Sequence, residues 1–92
     1  MIQTTNPATG ETIAEYQTLD ENGIDRKLEA ATRAFRDWRT TSLDERTKVL
    51  SRLGDLYEAN QEELAKLAVA EMGKPITQAR AEVGKCANLL HH

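Results

Sequence analysis

The single cysteine of the chain, Cys86, is the residue whose side chain could act as a nucleophile. A cysteine attacks electrophilic carbon when a neighbouring base or cation favours its thiolate form. It lies on an apolar helical stripe that also contains Val83, Ala87 and Leu90. The adjacent Lys85 points about 100° away on a helix, so it is a poor partner for the thiolate. A cysteine in such a stripe behaves as a small hydrophobe. We therefore expect Cys86 to be a buried, unreactive packing residue.

Two adjacent histidines, His91 and His92, could coordinate a metal ion, since imidazole is a common metal ligand. Consecutive helix residues diverge by about 100°, however, and no carboxylate or third ligand stands at a suitable spacing in the sequence. The pair is either native to the last helix or the start of a purification tag. We expect no metal site here.

The run Gly73-Lys74-Pro75 has a superficial likeness to a phosphate-binding loop. A P-loop requires more glycines and a serine or threonine after the lysine. Proline occupies that position here and has no amide hydrogen to offer a phosphate. The run is better interpreted as a helix stop with a solvated lysine. The sequence thus predicts no catalytic, cofactor-binding or metal-binding residue in this chain.

Length and composition limit the classes of protein that the chain can represent. Its 92 residues correspond to one domain or part of one. A formal net charge of −3 gives no basic surface for nucleic acid or for an anionic membrane. No apolar run reaches the length of a membrane span. One cysteine cannot form an internal disulfide, which favours a reducing, cytoplasmic location.

A β-hairpin is predicted at the start of the chain. Residues 2–5 and 12–16 are rich in β-branched side chains and flank a strong turn. Pro7 fixes φ early in that turn, and Gly10 can adopt the positive φ that closes it. Two strands alone are marginally stable in water, so we expect the hairpin to lie on another element.

Helical periodicity begins after Leu19. The first helix can be capped by Asp20 or Asn22, and its apolar residues recur at three- and four-residue steps: Ile24, Leu28, Ala31, Phe35 and Trp38. A second helix begins with a capping box formed by Ser42 and Glu45. It carries the best apolar face in the chain: Leu43, Val49, Leu50, Leu53, Leu56 and Tyr57.

Two more helices complete the pattern. Asn60 can end the second helix and cap the third, whose end is marked by Gly73 and the nearby Pro75. A fourth helix begins near Ile76 and has no stop signal before His92, as expected of a truncated helix. The predicted fold is therefore mainly α with a short N-terminal β-hairpin. It divides into a hairpin segment, residues 1–19, and a four-helix segment, residues 20–92.

Two segments carry a resemblance to a known family. The turn Asn6-Pro7-Ala8-Thr9-Gly10-Glu11 and the run from Glu71 to Val83, which contains Glu71-Met72-Gly73-Lys74-Pro75, stand in the order and at the spacing found near the start of NAD(P)-dependent aldehyde dehydrogenases. The chain is most similar to the succinate-semialdehyde dehydrogenase branch. The resemblance covers nearly the whole chain and implies a fragment of an α/β fold, from the outer part of the cofactor-binding domain.

The resemblance also implies a function and its limits. The complete enzyme would oxidise succinate semialdehyde, or a related aldehyde, to the acid with NAD or NADP. The nucleophile, the general base and the cofactor contacts of the family have no matching position within residues 1–92, so the fragment is expected to be inactive. Its expected partners are the remainder of the parent enzyme and further copies of itself. The alternative is a self-standing small helical module that binds a partner through exposed apolar faces.

Overall fold

The computed structural model describes residues 1–92 and confirms the predicted order of elements. Two strands, β1 (Ile2–Thr5) and β2 (Thr12–Tyr16), precede four helices. The helices are α1 (Glu21–Trp38), α2 (Leu43–Ala59), α3 (Gln61–Met72) and α4 (Ile76–His91). None of these helices combines the length and the apolar character that crossing a bilayer would require.

The two strands form an antiparallel hairpin. Ile2 lies opposite Tyr16 and Thr4 opposite Ala14, and a bulge then shifts the register before Thr5. In the turn, Gly10 has a φ of 78°, the positive value that glycine adopts without steric cost. The side chain of Asn6 accepts a hydrogen bond from the Ala8 amide at 2.9 Å. The hairpin rests on α3 through β1, as the marginal stability of two isolated strands requires.

Local capping interactions set most of the helix boundaries. Asp20 caps α1 by accepting from the Gly23 amide at 2.6 Å. Ser42 and Glu45 form the predicted capping box of α2. Asn60 ends α2 as predicted, and its side-chain amide donates to a carbonyl in the last turn of that helix. The prediction that its side chain also caps α3 is wrong, because it makes no such hydrogen bond. Its φ of −110° and ψ of 18° place it in a tight link between the two helices.

The helices pack through small residues. α4 lies against both α2 and α3, and the fully buried apolar residues are Ala65, Ala79 and Ala87. The other two buried residues of the chain are Gly23 and Gly54. No large side chain is fully buried. The apolar face predicted to be the best in the chain, on α2, is therefore largely exposed, because α2 turns its Gly54 side toward α4 instead.

The chain as a whole is flat and extended. Its radius of gyration is 17.4 Å and its principal extents are 47 × 38 × 14 Å. A compact domain of this length has a radius of gyration of about 12 Å. We attribute the larger radius of gyration to α1. This helix makes no packing contact comparable to those among the other helices. The fold is one packed unit with one helix projecting from it.

Candidate functional site: an exposed apolar surface

The most extensive candidate interaction surface lies on α1. Its predicted stripe runs along one side of the helix, and every member of the stripe is exposed. Leu28 is 62% exposed and Phe35 61%, although side chains of this kind are usually buried. Ala31 and Ala34 line a shallow depression with Phe35 and Trp38 at the end of the helix. Contiguous exposed apolar surface marks a site of interaction with another protein surface.

Arg46, on α2, fixes the direction in which α1 projects. Its guanidinium donates hydrogen bonds to the carbonyl oxygens of Trp38 and Arg39, at 3.0 and 3.2 Å, and to the Thr41 hydroxyl at 3.0 Å. Trp38 is the last residue of α1 and Arg39 is its C-cap, and the carbonyls at a helix C-terminus have no intrahelical donor. The guanidinium also lies 5.7 Å from the centroid of the Trp38 ring, within the range of a cation–π contact. Arg46 therefore joins the end of α1 to the start of α2.

A second exposed apolar face lies on α2. Val49, Leu53 and Leu56 are each more than 40% exposed. Leu53 and Leu56 continue into a depression that reaches Leu64 at the start of α3. This face and the α1 stripe together account for much of the apolar surface that the chain leaves in solvent.

The expectation that Cys86 is buried is wrong. The thiol is exposed on α4. The buried line of that helix passes through Ala79 and Ala87, and the exposed Leu89 marks the opposite side. α4 packs mainly against α2 and α3, so its packed stripe is narrower than the sequence pattern indicates. Nothing on the neighbouring elements covers the position of Cys86.

The environment of His91 also differs from expectation, because tertiary packing brings two carboxylates to it. Nε2 of His91 lies 3.5 Å from Asp55 Oδ1 and 3.4 Å from Glu58 Oε1. On the other side of the ring, Nδ1 lies 3.3 Å from the Ser51 hydroxyl. The ring rests over Gly54, where an added Cβ would come within 2.8 Å of it. All four partners belong to α2, and sequence spacing within α4 gave no sign of them.

These groups can act as an ion pair or as ligands. The three donor atoms of Asp55, Glu58 and His91 lie within 4.8 Å of one another, so they could hold a cation. All three residues are exposed, and exposed acidic groups are common without a bound ion, so the geometry alone assigns no metal to them. His92 is not part of this group, as the divergence of consecutive helix residues predicts.

Lys74 is held by an ion pair, contrary to the interpretation that it is simply solvated. Its Nζ lies 2.6 Å from Glu82 Oε2 across the turn between α3 and α4. Gly73 before it has a φ of 71° and lies against the ring of Pro7 from the hairpin turn. The Gly-Lys-Pro run thus ends α3 and also packs against the hairpin turn.

Arg80 ties α4 to the start of α3. It forms a two-pronged ion pair with Glu62, at 2.9 and 2.7 Å, while its carbonyl accepts from the Gln61 side chain at 2.9 Å. The hydrogen bonds and charge of Arg80 lower the pKa of Glu62, against a smaller opposing effect of desolvation. The same pair raises the pKa of Arg80. These groups hold helices together and converge on no cleft.

Comparison with known proteins gives consistent results. The model of the aldehyde dehydrogenase family matches residues 1–92. The chain is 46% identical over 84 residues to the NAD(P)+-dependent succinate semialdehyde dehydrogenase Sad of Escherichia coli, covering 91% of this chain and 18% of that protein. It is 41% identical over 80 residues to a 3-sulfolactaldehyde dehydrogenase of Pseudomonas putida, covering 87% of this chain and 16% of that protein.

A solved structure shares the fold. The crystal structure of succinic semialdehyde dehydrogenase from Streptococcus pyogenes, in complex with NADP+, superposes with a TM-score of 0.89 and 28% sequence identity. The match covers 97% of this chain and 20% of that one. The chain therefore spans about a fifth of the length of the proteins that it resembles.

Proposed function

The chain belongs to the aldehyde dehydrogenase family, and on that premise we propose that it is the N-terminal part of an enzyme that oxidises succinate semialdehyde to succinate with NAD or NADP. The observation that carries the proposal is the 46% identity with the succinate semialdehyde dehydrogenase of Escherichia coli. The structural likeness to the Streptococcus pyogenes enzyme supports it independently of that alignment.

The substrate class is a short aldehyde with a second, acidic group. The named substrates of the similar proteins are succinate semialdehyde, glutarate semialdehyde and 3-sulfolactaldehyde. Each carries a carboxylate or a sulfonate in addition to the aldehyde. Choice among these substrates, and between NAD and NADP, is assigned to the part of the enzyme beyond residues 1–92.

We assign no catalysis to the 92-residue chain alone. Hydride transfer needs a cleft that aligns the cofactor with the substrate, and a nucleophile next to a base. Cys86 is exposed on α4, and the ion pairs of the chain join one helix to another. The proposed partners of the chain are the remainder of the parent enzyme and further copies of itself, and its proposed location is the cytoplasm.

The proposal is tested by the reading frame and by an assay. We expect the gene to continue past codon 92 into a glycine-containing strand–turn–helix and a Gly-Gln-x-Cys segment. The longer product should reduce NAD or NADP in the presence of succinate semialdehyde, and propionaldehyde serves as a control without an acidic group. The 92-residue chain should give no absorbance rise under the same conditions. Turnover by the highly purified short chain would contradict its assignment as an inactive part.

A second candidate function is favoured by the exposed stripe of α1. A self-standing helical module that binds a partner through this stripe would need no catalytic residue. A natural stop codon directly after codon 92 would support that function over the first. Continuation of the frame without dehydrogenase activity in the longer product would contradict the enzyme proposal and leave the family membership intact.

A further inference from the structure

We draw no further inference here: the strongest candidate, the side-chain cluster of Asp55, Glu58 and His91 between α2 and α4, consists of two exposed carboxylates beside one imidazole, and nothing else in the structure points to a ligand there.

Discussion

Helix α1 and the unit formed by α2, α3 and α4 are built from similar local signals but differ in how they are packed. Each of α1 and α2 has a side-chain N-cap and an apolar stripe with helical period. The α2–α3–α4 unit is held by contacts between small residues and by ion pairs between helices. α1 has the more regular stripe, yet its only described contact with another helix is at its C-terminal end, where Arg46 of α2 reaches Trp38.

A strong apolar stripe therefore does not by itself determine that a helix packs against the other helices of these 92 residues. The unit packs because Ala65, Ala79 and Ala87 let α4 approach its neighbours closely. The large apolar residues of α1 and of the outer face of α2 remain in solvent. Four experiments test this contrast, and they are given in order of decreasing effect.

Introducing a charged side chain should give the largest difference in folding stability between the α2–α3–α4 unit and α1. Ala79→Asp places a carboxylate at a fully buried position of α4 with no partner, which should cost about 3 kcal/mol or more. Ala31→Asp makes the same change on the exposed stripe of α1 and should lower stability by less than about 1 kcal/mol. Urea denaturation at low protein concentration, followed by circular dichroism, measures both. Equal losses would show that α1 is packed in solution as tightly as α4.

Removing a helix cap should lower the stability of the whole α2–α3–α4 unit when the cap belongs to α2. It should affect only the first turn of the helix when the cap belongs to α1. Ser42→Ala removes the capping box of α2 and should destabilise the packed unit by about 1 kcal/mol. Asp20→Ala removes the cap of α1 and should mainly increase hydrogen exchange at the amides of its first turn, such as that of Gly23. Exchange measured by NMR distinguishes the two outcomes. A cap loss at Asp20 that speeds exchange throughout α3 and α4 would show that α1 folds cooperatively with the unit.

The close approach of α4 to Gly54 can be measured with a double-mutant cycle. Alanine in place of a mid-helix glycine stabilises by about 1 kcal/mol when space allows. At Gly54 the new methyl group meets the His91 ring, so we expect Gly54→Ala to stabilise less in the wild-type chain than in a His91→Ala background. Gly84→Ala is the control, because its nearest neighbour is a Gln61 side-chain nitrogen at 3.4 Å. Its effect should be independent of His91.

The smallest expected effect is the pH dependence of the ion pair between α3 and α4. Arg80 lowers the pKa of Glu62 in the folded chain, so the pair stabilises the fold at pH values above the unfolded-state pKa of that carboxyl. The contribution is lost as the pH falls through the lower, folded-state pKa. Glu62→Gln and Arg80→Gln should therefore be slightly less stable than wild type at neutral pH and should converge with it in acid. A gap that persists undiminished at low pH would assign the effect to packing rather than charge.

Local sequence signals predicted the elements of the fold, because each depends on residues close in the chain. Gly10 closes the hairpin turn, Ser42 and Glu45 begin α2, and Gly73 ends α3 as the sequence indicates. These interactions span a few residues and need no partner from elsewhere in the chain. The resemblance carried by Glu71 to Val83 identified the family for the same reason: it is a property of the order of residues.

Which side of each helix is covered follows from tertiary packing and not from the periodicity of its sequence. Periodicity places Cys86 and Leu53 on apolar stripes, but coverage depends on which neighbour approaches and how closely. α4 approaches its neighbours at Gly54 and at buried alanines, because these residues have no side chain or a small one. In this arrangement Asp55 lies beside His91 and Cys86 is exposed. The hydrogen bonds from Arg46 to the carbonyls of Trp38 and Arg39 likewise cross a junction between two helices. The apolar periodicity of either helix does not predict them. Caps and turns thus follow from residues close in the chain, whereas the exposure of an apolar face depends on which helices approach one another.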